Sequence, residues 1–127
     1  MRIFKTRWMA RFARRERISD ASLREAIARA ERGIIDADLG AGLIKQRVAR
    51  TGQGRSGGYR MIIAYRAEDR AFFLYGFAKN VLDNISNDEL LTLRELAADM
   101  LARSEAILKQ AKEAGELQEI DHGERTQ

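Results

Sequence analysis

The 127-residue chain contains no cysteine, no proline and a single histidine. Without cysteine there is neither a disulfide nor a thiolate metal site, a composition compatible with the cytosol. Without proline there is no proline-marked linker, and no internal repeat is visible, so the length fits one modest core. No apolar run reaches the ~18 residues of a membrane-spanning helix. The opening MRIFKTRWMARFARRER is too charged for the apolar heart of a secretory signal. Acid is scarce where base is dense. Residues 1–85 hold 18 Lys and Arg against 9 Asp and Glu, whereas residues 86–127 hold 5 against 10. From Leu39 to Ala67 there is no carboxylate at all, while Lys45, Arg47, Arg50, Arg55, Arg60 and Arg66 supply six cations. Such a segment points to a polyanionic partner, nucleic acid being the commonest.

Hydrophobic spacing assigns the elements. RIFKT (Arg2–Thr6) reads as a short strand. WMARFARRE reads as a helix with Trp8, Met9 and Phe12 inward and arginines outward. ISDASLREAIARAERG carries Leu23, Ala26, Ile27 and Ala30 at helical spacing, with Ser19 or Asp20 to cap it and Gly33 to stop it. LIKQRVAR (Leu43–Arg50) alternates, setting Lys45 and Arg47 on one parity and Ile44 and Val48 on the other. YRMIIAYR and AFFLYGFA have the aromatic and branched content of buried strands, and the short AEDR link joins them as a hairpin. Ser86 and Glu89 form a capping-box signature, after which Leu90, Leu93, Leu96, Ala97, Met100 and Leu101 make an apolar stripe. That helical pattern runs to about Lys112 and ends at Gly115; ELQEIDHGERTQ reads as a polar, frayed tail. The expected class is α+β: strand, helix, helix, three strands, helix, with a small antiparallel sheet and helices packed against it.

TGQGRSGGYR (Thr51–Arg60) contains Gly52, Gly54 and Gly57 at the G-x-G-x-x-G spacing. A dinucleotide site needs a helix after that loop, and here a strand follows. A Walker loop fails because Gly58-Tyr59 stands where Lys-Ser/Thr belongs. Glycines that merely let the backbone turn would not explain the cations around them. A cluster of like charges raises its own energy unless an anion sits among them, and glycine lets backbone amides approach a phosphate closely. An anion site is the expected reading.

LGAGLIKQRVARTGQGRSGGYRMIIAYR (Leu39–Arg66) followed by FFLYGFAKN (Phe72–Asn80) resembles the RelE/HigB-type toxins of bacterial type II toxin–antitoxin systems, within the RelE/ParE superfamily. The resemblance spans Arg2 to Leu101, so it divides the chain into a RelE-like toxin domain at 1–101 and a C-terminal helix extension with polar tail at 102–127. It implies a cytoplasmic endoribonuclease, an mRNA interferase that cuts messenger RNA in the ribosomal A site and so inhibits translation. It implies no metal and no cofactor, and a cognate antitoxin with a helix-turn-helix DNA-binding part that covers the basic surface. Two relatives in function remain open: a ParE-like inhibitor of gyrase, and an RNA-binding module without catalysis.

The residues suit metal-free cleavage, in which the ribose 2′-hydroxyl attacks the adjacent phosphate. Arg60 matches the family arginine and is the expected stabiliser of charge on phosphorus, since a guanidinium can grip two phosphoryl oxygens. Lys79, just past FFLYGFA, matches the family lysine. Neighbouring cations favour the neutral amine of Lys45 or Lys79, either of which then serves as base. Arg47, Arg50 and Arg55 are expected to hold the RNA backbone. Tyr75 is a candidate to stack on a base, and Asn80 follows the family pattern. Some relatives use a tyrosine or histidine near the C-terminus for proton transfer; here only His122 stands there, in the tail. The resemblance thus leaves catalysis to arginine and lysine, with the ribosome aligning the substrate.

Overall fold

The computed structural model of the chain describes residues 1–49, 58–78 and 85–120. Its elements run β1 (Arg2–Thr6), α1 (Arg7–Glu16), α2 (Asp20–Glu31), β2 (Ala37–Gly40), β3 (Leu43–Val48), β4 (Tyr59–Arg66), β5 (Arg70–Ala78), α3 (Asn87–Leu101), α4 (Glu105–Glu113) and β6 (Leu117–Glu119). The strands form one sheet in the order β2-β3-β4-β5-β1-β6. All neighbours are antiparallel except β1 and β5, which run parallel. This is the α+β fold the sequence predicts, with an antiparallel centre and helices on both faces.

Side-chain alternation explains the layering. On one face Ile44, Met61, Ile63 and Phe73 meet Met9, Phe12, Leu23 and Ile27 of α1 and α2. On the other, Leu43, Ile62, Ala64 and Phe72 meet Ala97, Met100, Leu108 and Ala111 of α3 and α4. Each fully buried phenylalanine or isoleucine contributes about 1.5–3 kcal/mol from its removal from water. Gly76 lets α1 come down onto β5. A Cβ there would lie 2.7 Å from Met61 Sδ and 3.2 Å from Phe12 Cε2. Gly42, in the β2–β3 turn at φ +82°, lies where a Cβ would meet Leu101 Cδ1 at 2.6 Å.

Local signals set most of the boundaries. Thr6, Ser19 and Ser86 cap α1, α2 and α3 through their hydroxyls, and Ser86 and Glu89 complete the expected capping box. Three features depart from the sequence reading. β2 forms between Gly33 and Leu43, where the sequence reading assigned no strand, zipped onto β3 by register pairs Ala37–Lys45 and Asp38–Ile44. The last helix breaks between Leu101 and Glu105 in place of running on to Lys112. Ser104 caps the new start, and the buried Arg70 guanidinium takes the Arg103 carbonyl at 2.7 Å and Glu105 at 3.0 Å. The stretch read as a frayed tail contributes β6, which pairs with β1 and buries Leu117 and Ile120. Its Glu119 is held by Arg2 at 2.9 and 3.0 Å and by Lys112 at 2.7 Å. Those bonds hold its carboxyl down at about 2, well below the usual range. Among the described residues no helix is long and apolar enough to cross a membrane.

Candidate functional site

The centre of the sheet collects the basic residues by register. Lys45 lies opposite Ile62, which lies opposite Tyr75. One row on, Arg47 lies opposite Arg60, and Arg60 opposite Phe77. Because Ile62 and Phe77 belong to the core under α3, the alternation of the strands puts Lys45, Arg47, Arg60 and Tyr75 on that same face.

Tyr75 reaches this face through a β-bulge. The β4–β5 register shifts between Ile62 and Ile63, so that Leu74 is the extra residue between Phe73 and Tyr75. Strict alternation from Phe73, which packs under α1 and α2, would send Tyr75 to the α1 side. The bulge reverses the parity, leaving Gly76 under α1 and Tyr75 and Phe77 toward α3. The Tyr75 ring lies 4.9 Å from Trp8 and 6.0 Å from Phe77. Beside it opens a cavity of about 340 Å³, walled by Tyr75, Leu93 and Thr92, with Asp88 and Glu89 at its lip.

Arg47 and Arg60 are cross-strand partners on one face, an arrangement that destabilises a sheet when like charges face each other. Asp36 accepts from the Arg47 backbone N–H, and its carboxylate is 3.9 Å from the guanidinium, whose side chain is still 49% exposed. The β3 backbone is thereby fixed while the Arg47 head group stays in solvent. The buried Gln46 does similar work on the neighbouring loop, donating to the carbonyls of Ala26 and Ile34 and accepting from the Asp36 N–H. Among the described residues no carboxylate pairs with Lys45, and none forms a cluster of three or more His, Cys, Asp or Glu that could hold a metal.

The sequence that builds this sheet matches a known family. The family model for the RelE toxin of the RelE/RelB toxin–antitoxin system matches residues 1–120. The chain belongs to the RelE toxin family. It is therefore the toxin of a toxin–antitoxin system, and the family implies an antitoxin as its partner. No curated protein and no solved structure matches the chain.

Of the RelE-type site residues expected from sequence, Lys45, Arg47, Arg60 and Tyr75 come together on one face. Arg50, Arg55, Lys79, Asn80 and His122, and the glycines Gly52, Gly54 and Gly57, lie outside the described residues. Sequence reasoning set Trp8 on the apolar face of its helix with Phe12, whereas it is 38% exposed and tilted against Tyr75. It also passed over Asp88, Thr92 and Leu93 as site walls. Their position follows from how α3 crosses the sheet, which helical spacing alone does not fix.

Proposed function

We infer that this RelE-family toxin is a metal-independent endoribonuclease that cuts messenger RNA on the ribosome and so stops translation. The observation that carries the reading is the cross-strand row Arg47–Arg60 beside Lys45 and Tyr75: paired cations and an aromatic ring on one face. Two guanidiniums in one row suit a phosphodiester, which each can grip through two N–H groups.

In this reading the ribose 2′-oxygen bonds to the neighbouring phosphorus while the bond from phosphorus to the 5′-oxygen breaks. The products are a 2′,3′-cyclic phosphate and a free 5′-hydroxyl. Lys45 or Lys79 takes the proton leaving the 2′-hydroxyl, and a protonated neighbour or water returns one to the departing 5′-oxygen. Arg60 holds the equatorial oxygens as negative charge builds on them. Arg47, with Arg50 and Arg55, holds flanking phosphates, and Tyr75 stacks on a base next to the scissile bond. Asn80 stands beside Lys79 and helps orient the strand. The ribosome supplies alignment, itself worth several kcal/mol of barrier. Toxin and antitoxin work in the cytoplasm, where their targets are, and the antitoxin acts by covering the basic face.

Induction of the chain without its antitoxin, followed by primer extension on cellular transcripts, tests this. Cuts confined to translated codons, lost in Arg60→Ala with an unchanged unfolding midpoint, are expected. The loss in rate should be about 10²–10³-fold. Intact transcripts with inhibited DNA supercoiling would replace this reading with gyrase inhibition. Tight, salt-sensitive RNA binding without strand scission would leave only an RNA-binding module.

A further inference from the structure

β1 pairs with β5 only from Arg70 to Phe73, and β1 ends at Thr6. Among the described residues no strand covers that side of β5 beyond Phe73. Trp8, in the first turn of α1, stands at this open edge. Its ring is stacked 5.1 Å from Phe12 on the α1 side and lies 4.9 Å from Tyr75 on the α3 side. The indole thus bridges the two faces of the sheet, and more than a third of it remains in solvent.

Along α1 from Trp8 lies a second basic feature, away from the central face. Arg7, Arg11, Arg14 and Lys112 surround a cavity of about 300 Å³ whose apolar wall includes Ala10 and Leu117. Arg7 donates to the carbonyls of Gly115 and Ala114, and Lys112 is paired with Glu119. The side chains of Arg11 and Arg14 have no ion-pair partner among the described residues. Arg14 gains from the C-terminal end of the helix dipole. Arg11, mid-helix and three residues from Arg14, has only repulsion from it.

We propose that this edge continues the RNA track: Trp8 and Tyr75 stack successive bases, and Arg11 and Arg14 hold backbone phosphates of the strand beyond the cleaved bond. The inference rests on the RNA reading of the central face. A cationic groove interrupted by aromatic rings that reach solvent is the pattern that binds single-stranded nucleic acid, because every base offers a π-face and every link a phosphate. An acidic peptide would satisfy the arginines but would have no use for the paired rings.

The experiment uses uncleavable 2′-O-methyl oligoribonucleotides of about five and about fifteen nucleotides, lengths that cover one face or both. Each is titrated against the full chain, Arg11→Ala/Arg14→Ala and Trp8→Leu over a range of salt, with unfolding midpoints measured in parallel. The parent should bind the long strand more tightly than the short one. The double variant should lose that gain, and its salt slope for the long strand should fall by about 1.4, from two phosphate contacts at about 0.7 each. Trp8→Leu should weaken long-strand binding about tenfold. Short-strand binding by the arginine variant should be unaltered. A slope unchanged by the double substitution, or no gain from added length, would overturn the edge track while short-strand binding kept the central-face reading alive. Binding of neither strand by the parent would overturn both. Equal affinity for a polyglutamate peptide, abolished by the same double substitution, would assign these arginines to a protein partner.

Discussion

Glu119 joins three elements through one carboxylate, and its removal should unfasten the C-terminal edge of the sheet. Arg2 on β1 donates to both of its oxygens, and Lys112 on α4 donates to one. The carboxyl consequently titrates at about 2 in place of 4.5. At about 1.4 kcal/mol per unit, that shift corresponds to a ceiling of about 3.5 kcal/mol. The side chain is 23% exposed and its partners Arg2 and Lys112 are 37% and 39% exposed. Solvent screening therefore reduces the contribution to about 1–2 kcal/mol. Because the folded-state value is depressed, this stability is present above about pH 4.5 and disappears as the pH falls through about 2. Urea unfolding of the parent and Glu119→Gln should differ by about 1–2 kcal/mol near neutral pH and converge near pH 2. Hydrogen exchange should locate the loss at β6, where the Ile120 N–H donates to the Ile3 carbonyl at 2.8 Å. Equal stabilities near neutral pH, or a gap that persists to pH 2, would refute the reasoning.

Three other substitutions probe the frame around the site. Gly76→Ala puts a methyl group 2.7 Å from Met61 Sδ and 3.2 Å from Phe12, and should cost about 1–3 kcal/mol in thermal unfolding; an unchanged midpoint would mean α1 rides higher on β5. Ser86→Ala removes half of the capping box and should cost about 1 kcal/mol, with faster exchange confined to the first turn of α3. Glu68 sits at φ +64° in the β4–β5 turn, so Glu68→Gly should raise the unfolding free energy by about 0.5–1 kcal/mol, and a decrease would show that its side chain matters more than its backbone.

The fold was legible wherever a signal is local. Ser19 and Gly33 bracket α2, Ser86 with Glu89 starts α3, and alternation marks β3 with Lys45 and Arg47 on one parity. Signals that depend on a distant partner were not legible. The break before α4 is secured by Arg70, more than thirty residues upstream, which satisfies the Arg103 carbonyl. β6 has one buried apolar residue, Leu117, with Ile120 just past it in a polar stretch, and becomes a strand because β1 presents an open edge. The central face was half legible. Lys45, Arg47 and Arg60 follow from parity within their own strands. The facing of Tyr75 does not, since the bulge at Leu74 exists only relative to β4. Trp8 has the spacing of a core residue, and its exposure follows from β1 stopping short along β5.

The order of strands carries a consequence for how the molecule forms. β3, β4 and β5 are a meander of near neighbours in sequence, and they bear Lys45, Arg47, Arg60 and Tyr75. β1 is inserted between β5 and β6, partners about 70 and 115 residues away along the chain. A growing polypeptide can therefore close its charged hairpins early and lay β1 against β5, while β6, the other neighbour of β1, is made only after α3 and α4. Completion of the sheet is a late, long-range event, and until β6 is made the outer edge of β1 stays uncovered.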